Sequence, residues 1–206
     1  MERRRSHLIL FVPYTSFSDF RLPTSDFRLP TSDYPNIAPR TSYFTLYLCA
    51  MKILMVCLGN ICRSPLAEGV LEHKAKEAGL NWQVDSAGTN GYHVGEPPHR
   101  LSQKVAKLNG LDICHQRARR FVAEDFDRYD KIYAMADDVL VDMRRIAGKR
   151  FDHVKADLLL NEVYTGENRS ISDPWYGTEP GYHEVYREIE AACSAIVQKA
   201  LAEQQL

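Results

Sequence analysis

The sequence predicts an α/β fold, a central parallel sheet flanked by helices, and three observations carry that prediction. Short apolar runs alternate with amphipathic helical stretches from residue 51 onward, the order expected of strand–helix units around a parallel sheet. The first run, Lys52-Ile53-Leu54-Met55-Val56, is apolar without alternation, which suits a strand buried on both faces. Tyr182, Val185, Ile189, Ala192, Ile196 and Ala200 mark one face of a long C-terminal helix.

The elements between follow in order. Gly59 and Asn60 suit a turn after the first strand. Ser64 then reads as a helix N-cap and Pro65 as the first helical residue, with Gly79 closing the helix. Strand character resumes over Trp82 to Val84, and Asp85 to Gly95 reads as polar and turn-rich. Leu101, Val105 and Leu108 stand at helical spacing before Asn109-Gly110, a stop signal. Lys131 to Ala136 forms a further strand, and Asp137 caps a helix carrying Val139, Leu140 and Met143. Val154 to Leu160 is a strand running into a loop.

Residues 1–50 read differently. Residues 19–25 and 26–32 both spell DFRLPTS, and two copies of a Pro-containing heptamer bury no core. The seven-nucleotide unit GACTTCC, written three times, translates to this same peptide. Residues 1–50 are therefore expected to be translated upstream DNA, or else a disordered tethering extension, and residues 51–206 the functional domain starting at Met51. Arg3, Arg4 and Arg5 followed by Leu8 to Val12 imitate a signal peptide, but the apolar run is short of ~7–15 residues and no small-residue cleavage site follows.

The 206 residues contain 45% hydrophobic residues, enough for a packed core, and a formal net charge of -1. Such a balance exerts no global pull on nucleic acid or an anionic membrane. No apolar run approaches the ~20 residues of a membrane span. Five cysteines (Cys49, Cys57, Cys62, Cys114 and Cys193) lack both the density of a disulfide scaffold and zinc-ligand spacing. A reduced, cytoplasmic compartment and no metal or cofactor are the expectation.

The sharpest signal is Cys57-Leu58-Gly59-Asn60-Ile61-Cys62-Arg63-Ser64. A Cys with Arg six positions on is weak alone: with Arg at roughly 5% of residues, five cysteines give such a pair about one time in four. Cys114 and Arg120 share the spacing. Context separates them, because Cys57 follows a buried strand and leads into a helix N-terminus. There, backbone N–H groups curl around a tetrahedral oxyanion, the helix dipole faces it, and the same field favours a thiolate. Arg63 forks onto two phosphoryl oxygens. Cys114 has no preceding strand and reads as a structural thiol. Cys62, five positions after Cys57 on a curled loop, is placed to trap an oxidised Cys57 as a disulfide.

The run VCLGNICRSPLAEGV resembles the N-terminal signature of the low-molecular-weight protein tyrosine phosphatases. VDSAGT (Val84 to Thr89), Gly95-Glu96-Pro97-Pro98, Glu124-Asp125-Phe126 and Asp173-Pro174-Trp175-Tyr176 extend the likeness from Met51 to the C-terminus. The resemblance implies a three-layer, four-stranded parallel sheet with the phosphate loop between the first strand and first helix. It implies Cys57 as nucleophile, Arg63 as clamp and Asp173 as general acid, with a phosphocysteine intermediate. Leu58, Gly59, Asn60, Ile61, Cys62 and Ser64 would line the phosphate, with Ser64 bonding the thiolate and Ser86 tethering Asn60. Tyr92, Trp175 and Tyr176 map to the aromatic mouth, which favours phosphotyrosine proteins or other aryl phosphates as partners.

Two departures stand out. The family often has a His in the stretch matching Cys114-His115-Gln116, where register places either His115 or Gln116, and an Asp where Ala136 stands. No catalytic role falls to His115. A protein-arginine phosphatase shares the fold but typically has Thr in place of Ile61. An arsenate reductase uses the same loop but relays through further cysteines, and no second relay cysteine lies between Cys114 and Cys193.

Overall fold

The computed structural model describes residues 50–204; the expectations for the N-terminal extension lie outside the described residues. Four strands form one parallel sheet in the order β2-β1-β3-β4. Strand β1 (Lys52–Cys57) is central, flanked by β2 (Gln83–Gly88) and β3 (Lys131–Ala134), with β4 (Ala156–Leu158) at the far edge. Ile53, Leu54, Met55 and Val56 are fully buried, which explains the unbroken apolar run. Ile53 and Met55 join the core built by α1 (Arg63–Glu77), α2 (Arg100–Leu108) and α5 (Glu179–Glu203). Leu54 and Val56 join the second core, with Phe126 of α3 (Asp125–Arg128) and Val139 and Met143 of α4 (Asp137–Ala147). Helices thus cover both faces, and the three-layer, four-stranded sheet is as predicted.

The chain leaves β1 toward β2 on one side and later returns to β3 on the other. The crevice at the carboxyl end of β1 is therefore the switch point, where open α/β sheets hold their ligands.

Several boundaries differ from the sequence reading. Helix α1 begins one residue before Ser64, with Cys62 at the N-cap and no side chain capping it; the Ser64 hydroxyl is engaged elsewhere. Gly79, at φ 71°, follows the C-cap residue and turns the chain out of the helix. Strand β2 continues through Asp85-Ser86-Ala87-Gly88, all paired with β1, although their small and polar side chains suggested a turn. Gly88 is required there: a Cβ would lie 2.9 Å from the Leu58 carbonyl oxygen and 3.0 Å from the Asn60 nitrogen. Leu108 is exposed, the buried face of α2 being Ser102, Val105 and Ala106. Strand β3 stops at Ala134, Ala136 rather than Asp137 is the α4 N-cap, and β4 has only three residues before a 3-10 turn over Leu159–Glu162. Among the described residues no helix is long and apolar enough to cross a membrane.

Candidate active site

The loop from Cys57 to Arg63 is shaped by bonds from several parts of the chain. Asn60 sits at φ 56°, a left-handed conformation that asparagine tolerates better than most residues. That conformation turns the Asn60 N–H toward Cys57 Sγ at 3.2 Å, and the Ser64 hydroxyl donates to the same sulfur at 3.0 Å. The Asn60 amide donates to Ser64 Oγ at 2.9 Å and to Ser86 Oγ at 2.8 Å. Its Oδ1 accepts from the Arg119 N–H at 2.8 Å. The loop's carbonyls are held as well: Ile61 accepts from the His99 N–H and Cys62 from the Ser102 hydroxyl. Buried polar groups satisfied this fully hold one geometry.

The sulfur side carries two cationic or dipolar features. The uncapped N-terminus of α1 starts at the loop, where free N–H groups favour an anion. Arg63 is buried, donates from Nη1 to the Ile171 carbonyl at 3.0 Å, and pairs through Nη2 with Asp173 Oδ2 at 2.5 Å. Its Nε is buried without a hydrogen-bond partner. The other oxygen of Asp173 accepts from the Trp175 N–H at 3.1 Å.

These groups line one cavity of about 310 Å³, walled by Cys57, Leu58, Gly59, Ile61, Cys62 and Arg63 and by Asp173, Trp175 and Tyr176. Tyr92 joins the rim. Tyr92 and Tyr176 are 85% and 97% exposed, so they stand up from the mouth rather than packing in the core. Asn60, Ser64 and Ser86 lie behind the loop, buried. Burial pushes the Cys62 thiol up to about 12, only partly offset by its contact with the Tyr182 hydroxyl at 3.7 Å.

The structure also brings in residues that sequence reasoning missed. Asn90 and His93 line the cavity, and His93 packs beside Trp175 and pairs with Glu96 at 2.8 Å. His99 stands edge-on to Trp175 and stacks on Tyr182; burial, then the neighbouring Arg100, lowers its pKa. Arg119 reaches Asp125, Asp85 and the Tyr129 hydroxyl. Of the two positions left open by register, Gln116 is the buried one and His115 is exposed. Cys114 is exposed, away from any strand.

A family profile described as "Low molecular weight phosphotyrosine protein phosphatase" matches residues 52–206. A human protein of that name is 37% identical over 152 residues, covering 72% of this chain and 95% of its own. The Bacillus subtilis protein YfkJ, a low molecular weight protein-tyrosine-phosphatase, is 35% identical, covering 76% of this chain and 99% of its own. Its crystal structure superposes with a TM-score of 0.69 over 75% of this chain and 96% of that one. Vibrio vulnificus Wzb in complex with benzylphosphonate superposes at 0.66 with 28% identity, over 73% of this chain and 99% of that one. Fold, loop and relatives agree: the chain belongs to the low molecular weight phosphotyrosine protein phosphatase family.

Proposed function

We propose that this protein-tyrosine phosphatase hydrolyses phosphotyrosine through Cys57, Arg63 and Asp173, with a phosphocysteine intermediate. The observation that carries the reading is the Cys57 sulfur itself, which receives the Asn60 N–H and the Ser64 O–H at the floor of the cavity beside Arg63. Two donors converging on the sulfur fix its position at the centre of the loop. A phosphoryl group seated against Leu58, Gly59, Ile61 and Cys62 meets backbone N–H groups and the Arg63 fork, while Asn60, expected to line the phosphate, holds the sulfur from behind. The unpartnered Nε gives Arg63 a donor for that oxyanion.

Released from Arg63 by the phosphoryl group, Asp173 takes up a proton from solvent; the sulfur attacks phosphorus as the phosphorus–oxygen bond to the tyrosine breaks, and Asp173 gives that proton to the departing phenolic oxygen. Water then attacks the phosphocysteine, Asp173 takes the water's proton, the sulfur–phosphorus bond breaks, and inorganic phosphate leaves. Tyr92, Trp175 and Tyr176 form an aromatic mouth for the phenyl ring, which favours tyrosine-phosphorylated proteins or other aryl phosphates over aliphatic esters. Free Cys57, Cys62, Cys114 and Cys193 fit a reduced, cytoplasmic setting.

A hydrolysis panel of phosphotyrosine, phosphoserine and phosphoarginine peptides, with arsenate reduction alongside, tests the reading. Phosphotyrosine is expected to turn over fastest, and Cys57→Ser to abolish turnover while still binding phosphate. Preference for phosphoarginine or arsenate overturns the substrate; turnover by Cys57→Ser near the wild-type rate overturns the nucleophile.

A further inference from the structure

Behind the loop, the hydrogen bonds around Asn60 run in one consistent direction. The Asn60 amide has two hydrogens, given to Ser64 Oγ and Ser86 Oγ. Each serine has one: Ser64 passes its hydrogen to Cys57 Sγ at 3.0 Å, with the Ala87 carbonyl a more distant acceptor at 3.4 Å, and Ser86 passes its own to Glu68 Oε2 at 2.5 Å. Along its shortest contacts the two ends of the chain are a sulfur and a carboxylate. Glu68 stands four residues after Ser64, on the same face of α1.

We propose that Glu68 is a positioning residue for Cys57, its carboxylate being the terminal acceptor that fixes the direction of donation through Ser86 to Asn60. With a carboxylate behind it, Ser86 must donate backward and so offers its lone pair to the Asn60 amide. Reverse Ser86, and its hydrogen faces an amide nitrogen that accepts nothing. The left-handed Asn60 then loses a tether, and with it the aim of its N–H at Cys57. The consequence for catalysis rests on the phosphatase reading of the loop.

The groups facing Glu68 are Glu72 one turn along α1, Asp85 of β2 and the Arg119 guanidinium. Burial, which outweighs the Ser86 bond, pushes the Glu68 carboxyl up to about 7. Once protonated, the carboxyl can itself donate to Ser86, and the direction is no longer fixed.

Alkylation of Cys57 by iodoacetate, followed by peptide mass across pH in the full chain, reads the loop without requiring turnover. The wild-type profile is expected to carry an inflection near pH 7 that the isosteric Glu68→Gln variant lacks. In phosphotyrosine hydrolysis, Glu68→Leu and Ser86→Ala are each expected to lower kcat by about 10-fold, the scale of losses from residues that orient a reacting group. The double variant is expected to be no slower than Ser86→Ala alone, since both act on one chain. Losses that multiply in the double variant, or a Glu68→Gln profile that superposes on wild type, overturn the proposal. If Glu68→Leu does not fold, the Glu68→Gln profile decides. An alkylation profile as expected in a protein that hydrolyses no phosphotyrosine removes the substrate reading and leaves Glu68 in place.

Discussion

Arg63 and Asp173 are bound to each other: Nη2 of the loop arginine lies 2.5 Å from Oδ2 of the carboxylate, across 110 residues of sequence. The guanidinium is buried and the carboxylate is half-exposed at the cavity wall. On the proposed mechanism, a phosphoryl dianion entering the loop competes for the same fork, and substrate binding is expected to free Asp173 to face the leaving oxygen. The proposed clamp and the proposed acid are thus joined by one ion pair.

That coupling sets the behaviour of Asp173→Asn. Removing the proton donor is expected to lower kcat by about 100-fold for phosphotyrosine. An activated aryl phosphate, whose leaving group needs no proton, is expected to lose far less. Steady-state rates with the two substrates side by side check this, and equal losses count against the acid role.

Gly88→Ala probes the close approach of β2 to the loop. The added Cβ meets backbone atoms of Leu58, Gly59 and Asn60 at 2.9–3.0 Å, and backbone cannot rotate away as a side chain can. A stability loss of about 1–3 kcal/mol is expected from such overpacking, with a fall in kcat as the loop is displaced. Denaturant titration together with phosphotyrosine turnover measures both.

Oxidation distinguishes Cys62 from a packing residue. Its thiol, pushed up to about 12 by burial, stays protonated at neutral pH and is a poor first target for peroxide. Cys57 is expected to be oxidised first and trapped by Cys62 as a disulfide. After a peroxide pulse and thiol reduction, wild type is expected to regain most activity and Cys62→Ser much less; matching recovery removes the protective role.

Glu68 also carries a pH-dependent stability term. Its folded-state pKa is raised from 4.5 to about 7, so the fold favours the neutral acid. That contribution is complete below about 4.5 and is lost as pH rises through about 7. Glu68→Gln, neutral at every pH, is expected to melt close to wild type at pH 4.5 and a few degrees above it at pH 8. Thermal melts across that range check the sign, and a gap that shrinks with rising pH contradicts it. Greater stability with a lost alkylation inflection marks a group kept for function rather than for folding.

How much of this was legible in the sequence depends on how local each determinant is. The buried run of β1, the Gly and Asn of the loop and the periodic face of α5 announce themselves within a few residues. The end of β2 did not, because Asp85, Ser86 and Gly88 have turn-like chemistry while their backbone pairs with β1 residue by residue. Ser64 read as a cap because position alone cannot show that its hydroxyl turns to the Cys57 sulfur. Glu68 was within reach, one helical turn beyond Ser64. Arg119 was not: it meets Asn60 across 59 residues, and nothing in its immediate neighbourhood points there. His93 lay in a stretch legible only as polar and turn-rich, and His99 just beyond it.

Three of the bonds that shape the loop span 26, 59 and 110 residues, from Asn60 to Ser86, Asn60 to Arg119 and Arg63 to Asp173. Such contacts form only after their loop-closure entropy has been overcome, so they come late in folding. A nascent chain that has emerged only as far as α1 already carries Cys57, yet of the side-chain partners of Asn60 only Ser64 is present, and neither partner of Arg63 is. Arg63 gains its partners only when the segment carrying Ile171 and Asp173, 108 and 110 residues further on, has folded against the loop.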